Sequence, residues 1–414
     1  MNQFSYREGE LHCEATPLRT IADAVGTPTY VYSTRAIREN FNAYDQAFAP
    51  IPHLIAYALK ANSNLGVVSL LARGGAGAEV FSGGELFRAL RAGVPPKKII
   101  FAGPGKTREE MAEAIKADIL SVNVESSSEL RQLDGVAQEL GVRAPVALRI
   151  NPDVDPHTHP YIATGLKTSK FGIPISRALE GYQAAQELAG IEVVGVHMHI
   201  GSQLTKTAPI RDALARVVDL VSALRSRGIP VQYLDAGGGL GIRYKDEDPP
   251  TPGEYAEVLV PIVKNLGMTL ILEPGRSLVG NAGVLLTRVL YLKDNDRKRF
   301  VIVDAAMNDL IRPSLYNAYH AILPVMAADS RPAYVVDVVG PICESGDFLA
   351  KDRELPAVEE GELLAVMSAG AYAFAMASNY NARPRAAEVL VEGGHFSIVR
   401  RRESYEDLIA GEQV

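Results

Sequence analysis

Cysteine is nearly missing from this chain: Cys13 and Cys343 are the only two in 414 residues. So sparse a pair excludes a disulfide framework and fits a reducing compartment. Long apolar runs are missing as well. Nothing approaches the roughly 20 residues that a bilayer-spanning helix needs. The opening MNQFSYREGELHCEATPLRT has neither a basic start nor an apolar centre. A cytoplasmic protein with no membrane partner and no secretory leader is therefore expected. There is no basic run, and 49 acidic against 42 basic residues leave a formal net charge of −7. That balance argues against nonspecific binding to nucleic acid. Low-complexity tracts and long Pro- or Ser-rich linkers are also absent. What is present is ordinary: 47% hydrophobic and 22% charged residues exclude a largely disordered chain. The length exceeds what one average domain needs, so a large domain with a smaller companion is expected.

Between Ile51 and Gly275 one theme repeats. A short apolar run ends in Gly, Ser, Asn or a charged residue, and a helical pattern usually follows. The runs read as strands are 54–59, 78–81, 99–102, 119–124, 146–150, 193–200, 233–235 and 269–272. Segments such as SGGELFRALRAG and TREEMAEAIKA carry apolar residues at three- and four-residue spacing, the mark of an amphipathic helix. Strands alternating with helices imply a parallel sheet, and eight units of this kind suggest a closed barrel. An open doubly wound sheet is the competing architecture. After Gly275 the texture changes to closely spaced strands, among them VLLTRVLYLKD, KRFVIVDA, PAYVVDVVG and GELLAVMS. The expectation is an α/β chain with a (β/α)8, TIM-type barrel over residues 34–275 and a mainly antiparallel β domain over 276–414. Residues 1–33, which contain PTYVYS, are expected to join that β domain.

Active sites of such barrels collect at the C-terminal strand ends, and the unusual polar residues fall there. Lys60 ends the first strand; alone it reads as a surface lysine, but at a barrel mouth a desolvated amine becomes a nucleophile toward carbonyls. Gly237, Gly238, Gly239 and Gly241 follow the seventh strand. They form either a plain flexible loop or an anion cradle of backbone N–H groups, helped by a following helix N-terminus. Ser202, just past the sixth strand, adds a hydroxyl donor. His197 and His199 alternate on that strand and so share a face. No acidic or cysteine partner stands at zinc spacing, so no metal is expected; a ring packed on a planar cofactor is the stronger reading, with His199 nearer the mouth. Glu273 ends the eighth strand and is either paired with Arg276 or facing a ring nitrogen. Together these parts fit pyridoxal 5'-phosphate, which needs a lysine, a phosphate cradle and a carboxylate to keep its pyridine nitrogen protonated.

With AYALKAN, FSGGEL, TGLKTSKFGI, HMHIGSQ, DAGGGLG, LEPGR, DLIRPSLY, CESGD and GAYAFAMASNYNARPR in order, the chain resembles the diaminopimelate decarboxylase family of the alanine-racemase-like fold class. The resemblance implies that Lys60 bonds the cofactor, His199 stacks on its ring and Glu273 pairs with its nitrogen. It assigns Ser202, Gly238, Glu273, Pro274, Gly275, Arg276 and Tyr372 to the phosphate or its surroundings. Arg276, Arg312, Tyr316, Glu344 and Tyr372 are implied to contact substrate. A homodimer with shared active sites is implied, in which Cys343 and Glu344 reach the other subunit's site and Cys343 is the candidate proton donor. The implied reaction converts meso-2,6-diaminopimelate to L-lysine and carbon dioxide, the last step of lysine biosynthesis. A decarboxylase of the ornithine, arginine or carboxynorspermidine type, or a racemase of the same fold, is the alternative. Ala373 departs from the pattern, because glycine is expected after Gly370-Ala371-Tyr372.

Overall fold

The computed structural model describes residues 3–155, 170–328 and 330–413. Most of the TGLKTSK motif, residues 164–169, lies outside the described residues. The chain divides into two compact units. One comprises Asn40–Ile242 with Asp248–Ser277; the other comprises Met1–Glu39, Arg243–Glu247 and Leu278–Val414.

The first unit is a closed parallel barrel. Its eight strands are His53–Ala58, Gly77–Val80, Ile99–Phe101, Ser121–Val124, Ala144–Asn151, Ile191–Met198, Tyr233–Asp235 and Thr269–Leu272. Each pairs with the next in chain order, and the eighth returns to the first through Leu270↔His53, Ile271↔Leu54 and Leu272↔Ile55. That closure excludes the open sheet. It also removes every strand edge, which explains why such short strands suffice. A short extra strand, Ile173–Pro174, pairs beside the fifth.

Four of the intervening helices start where Ser or Thr stands three residues before an acid. Thr107 with Glu110 and Thr251 with Glu254 form reciprocal capping boxes, and Ser82 and Ser126 accept from the N–H of Glu85 and Glu129. The helix Pro252–Leu266 buries Tyr255, Ala256, Leu259 and Val263 on one face and stops at Gly267, whose φ of 61° suits glycine.

In the second unit, one sheet runs Phe348–Pro356, Ala333–Val339, Arg299–Val303, Gly283–Asp294, Thr29–Ser33, Ala387–Glu392, His395–Arg400. Most pairings are antiparallel. The exceptions are Arg299–Val303 with Ala333–Val339 and Thr29–Ser33 with Ala387–Glu392. Thr29–Ser33, from the PTYVYS run, is buried along its whole length between two partners. Val31, Val284, Leu286, Ala365, Val389 and Val391 make the core beneath it. Cys13 is a free thiol buried in that core, where burial pushes its pKa far up; Cys343 is free and exposed.

Candidate active site

Buried polar side chains gather at the C-terminal ends of the barrel strands. Lys60 lies in a 3-10 turn, Leu59–Ala61, directly after the first strand. Its Nζ is 3.0 Å from Glu79 Oε2 and 4.0 Å from the centre of the Phe81 ring. The Glu79 side chain is 2% exposed, and its pKa is pushed up to about 7, by burial first and then by the charge of Glu273, with Lys60 opposing both. A carboxyl group poised there can exchange a proton with the lysine amine near neutral pH.

Both histidines at the end of the sixth strand are neutral. His199 Nδ1 accepts a hydrogen bond from the Gly238 N–H at 3.2 Å, so its proton resides on Nε2. Burial, then the charges of Lys60 and Arg149, hold its pKa well below the usual value. His197 is fully buried, and burial followed by Arg149 lowers it to about 3. Its Nε2 stands 3.5 Å from Glu273 Oε2. Asp235, at the end of the seventh strand, accepts from the Gly237 N–H at 2.9 Å and from Asn123 Nδ2 at 3.2 Å. Burial, then the charge of Glu273, holds its pKa well above the ordinary carboxyl value. Ligand atoms of His197, Asp235 and Glu273 lie within 4.8 Å of one another, so the barrel supplies in space the acidic partners of His197 that chain spacing does not reveal. Neither oxygen of Glu273 meets a conventional donor among the described residues, although both are buried.

The glycine loop works by close approach. A Cβ on Gly238 would lie 2.1 Å from the Glu273 carbonyl oxygen, and one on Gly239 would lie 2.3 Å from that of Gly201. Glycine therefore lets the loops after the sixth, seventh and eighth strands meet backbone to backbone. The Glu273 N–H donates to Gly237 O at 2.9 Å and the Leu204 N–H to Gly239 O at 2.8 Å. Beside them Arg276 Nη2 donates to Ser202 Oγ at 3.0 Å. The helix expected directly after the glycines does not follow; the next one begins at Pro252, so the loop has no helix dipole of its own behind it. Pro274 O accepts from the Ala58 N–H, and Gly275 packs on Ala58 and Ala61, which seats the LEPGR turn against the Lys60 turn.

Lys60, His199, Ser202, Gly238, Glu273, Pro274, Gly275 and Arg276 thus belong to one unit. Arg312, Tyr316, Cys343, Glu344 and Tyr372 belong to the other. There Arg312 is buried, donates from Nη1 to His320 Nε2 at 2.8 Å, and has its guanidinium 4.5 Å from the centre of the Tyr244 ring. His320 Nδ1 in turn donates to Met367 O at 2.8 Å, which fixes the tautomer that accepts from Arg312. Tyr316 closes the helix Arg312–Tyr316. Cys343 is exposed, with its N–H on Asn381 Oδ1 at 3.0 Å, and the Tyr380 hydroxyl donates to Glu344. Tyr372 has a φ of 56°, whereas Ala373 after it has φ −101°, so the strained residue is the tyrosine and alanine is accommodated.

Sequence reasoning missed Glu79, Asp235 and the buried pair Arg149–Glu125, whose Nη1–Oε1 distance is 2.8 Å. Their signal is a charge inside an otherwise apolar strand, as in AEVF and VALRIN.

The profile of a family described as pyridoxal-dependent decarboxylase, pyridoxal binding domain, matches residues 34–280. A diaminopimelate decarboxylase of Pseudomonas aeruginosa is 56% identical over 414 residues, covering 100% of this chain and 99% of that protein. One of Aquifex aeolicus is 53% identical over 405 residues, covering 98% and 96%. This chain belongs to the diaminopimelate decarboxylase family. A crystal structure of the diaminopimelate decarboxylase of M. jannaschii in complex with L-lysine superposes with a TM-score of 0.95 at 42% identity, covering 100% of this chain and 98% of that one. Members of the family use pyridoxal 5'-phosphate, and this diaminopimelate decarboxylase site fits that cofactor. Glu273 is a buried acceptor with no conventional donor among the described residues, the environment that a protonated ring nitrogen satisfies.

Proposed function

We propose that this chain decarboxylates meso-2,6-diaminopimelate to L-lysine and carbon dioxide, with pyridoxal 5'-phosphate held on Lys60. The observation that carries the reading is the Glu273 carboxylate, buried at the barrel mouth on the same unit as a lysine amine, a neutral histidine and a glycine-lined loop. When bound, the cofactor supplies an electron sink for the bond that breaks at Cα. Lys60 would hold it through Nζ, and Glu79 is placed to take and return a proton at that amine. Glu273 would keep a proton on the ring nitrogen. His199, being neutral, would cover the ring face without competing for Glu273. Ser202, Arg276 and the backbone around Gly238 would hold the phosphate, with Tyr372 bordering it. Arg276 and Arg312 bind substrate carboxylate, Glu344 binds the distal ammonium, Tyr316 and Tyr372 complete the contacts, and Cys343 delivers a proton to Cα. The enzyme acts in the cytoplasm as a homodimer with shared sites.

The direct test is to supply purified protein and pyridoxal phosphate with meso-diaminopimelate, ornithine, arginine and lysine in turn. Carbon dioxide and L-lysine should form from meso-diaminopimelate in equal amounts. Release from ornithine or arginine at a comparable rate moves the protein to a broader decarboxylase class, and racemisation without gas moves it to a racemase.

The shared site makes a second expectation. Inactive Lys60→Ala and inactive Glu344→Ala subunits, once mixed and allowed to exchange, should regain part of the activity because a mixed dimer holds one intact site. Exchange verified by mass, with no activity regained, rejects the cross-subunit placement.

A further inference from the structure

We propose that His320 is a positioning residue for substrate recognition: its ring nitrogen aims the Arg312 guanidinium, while Tyr244 holds the plane of that group. This inference rests on the reading above that Arg312 binds a substrate carboxylate, and it concerns what fixes the geometry of that binding.

Arg312, His320 and Tyr244 lie in one unit and pack on one another. Arg312 opens the short helix Arg312–Tyr316, and His320 stands just ahead of the strand Ile322–Pro324. Chemistry alone places the protons of this pair. A guanidinium only donates, so His320 Nε2 accepts from Arg312 Nη1 at 2.8 Å. A carbonyl only accepts, so Nδ1 carries the ring's proton and donates it to Met367 O at 2.8 Å. Both ring nitrogens are thus committed, each in a fixed sense. The backbone beside the ring is tied as well. The Met367 N–H donates to Ala321 O at 2.8 Å, and Arg353 Nη1 donates to His320 O at 2.7 Å. A histidine with no exposure, held at both nitrogens and at its carbonyl, cannot swing without breaking several bonds. Tyr244 supplies the second restraint. The Arg312 guanidinium lies 4.5 Å from the centre of its ring, and that ring meets His320 edge to face at 5.3 Å and 76°. An acceptor along one N–H and a ring across the face together restrict both rotation and tilt. A long arginine side chain would otherwise sample many rotamers, and ordering it beforehand lets its planar fork select a carboxylate. A neutral imidazole suits this task better than an acid would. A carboxylate in its place would neutralise the guanidinium and compete with the carboxylate of the substrate.

The test is a double-mutant cycle on kcat/KM for meso-diaminopimelate in the enzyme loaded with pyridoxal phosphate. His320→Leu should lower kcat/KM about 10-fold, mostly through KM, the scale of one hydrogen bond to a charged group. In an Arg312→Met background, which keeps the stem and removes the guanidinium, the same change should cost no more than about twofold. His320→Gln, whose amide oxygen can accept near the place of Nε2, should stay within about threefold of the unmodified enzyme. A merely structural role would cost the same factor in both backgrounds. Where His320→Leu does not fold, Tyr244→Leu takes its place, with an expected loss of about threefold that again vanishes beside Arg312→Met. An equal loss in both backgrounds, or no loss in the unmodified one, overturns the positioning role. A loss in His320→Gln as large as in His320→Leu overturns acceptance by Nε2. Near-normal kcat/KM in Arg312→Met alone rejects the reading of Arg312 itself, a result distinct from the others.

Discussion

Lys60→Ala should cost at least about 10³-fold in turnover, the scale on which loss of a nucleophile or its proton carrier acts. The variant should still bind the cofactor's phosphate, because Ser202, Arg276 and the glycine loop are untouched. In the unmodified protein, borohydride should fix pyridoxal phosphate to the peptide containing Lys60, as mass analysis of a digest would show. The informative competitor is Lys106. Its side chain is 1% exposed, and burial lowers its pKa, which by itself would nominate it as the amine nucleophile. Its ammonium, however, donates to Gly103 O at 2.6 Å, Asn123 O at 2.8 Å and Glu129 Oε1 at 2.6 Å, so all three protons are committed. Lys60 has a side chain 32% exposed beside an exchangeable Glu79 and remains reachable. A label on Lys106, or a Lys60→Ala enzyme with most of its activity, would reverse that assignment.

Substrate choice should be nearly as steep. Meso-diaminopimelate carries an ammonium and a carboxylate at its distal end, whereas lysine and ornithine carry only the ammonium. A site built to pair that carboxylate with guanidinium groups leaves buried donors unmatched when the carboxylate is missing. Rejection by polar sites of this kind reaches about 10⁴-fold. We therefore expect kcat/KM for meso-diaminopimelate to exceed that for L-lysine, D-lysine or ornithine by about 10⁴. Arg312→Lys should cut kcat/KM for meso-diaminopimelate by about 10²-fold, the range for breaking a buried charge pair. The guanidinium is oriented by His320 Nε2 and by the face of Tyr244. A lysine ammonium reproduces neither the planar fork nor that stacking. Comparable kcat/KM for ornithine, or an unaffected Arg312→Lys enzyme, would remove the distal-carboxylate reading.

Much of the barrel and its mouth is legible in the amino-acid order. Parallel strands buried on both faces are mostly apolar, and the polar residues that mark a site stand at or near their C-terminal ends. Lys60, His199 and Glu273 are found by that rule, since a polar residue at the C-terminal end of a barrel strand faces the mouth. The glycines of DAGGGLG are readable as a close approach, although their partners, Glu273 O and Gly201 O, are not.

The amino-acid order alone sets the period of the pattern: which residues are strand, which face they share, and which polar groups stand at strand ends. Which of those groups become neighbours is decided by tertiary structure. Barrel closure brings Glu79, His197, Asp235 and Glu273 together from four different strands or strand ends, and alternation along one strand carries no information about the register of another. The same holds for Thr29–Ser33, whose partners Gly283–Asp294 and Ala387–Glu392 lie hundreds of residues along the chain. Proton placement follows from those neighbours as well. Glu79 and Asp235 are ordinary carboxylates by composition, and only burial beside another carboxyl group raises both pKa values, that of Glu79 to about 7.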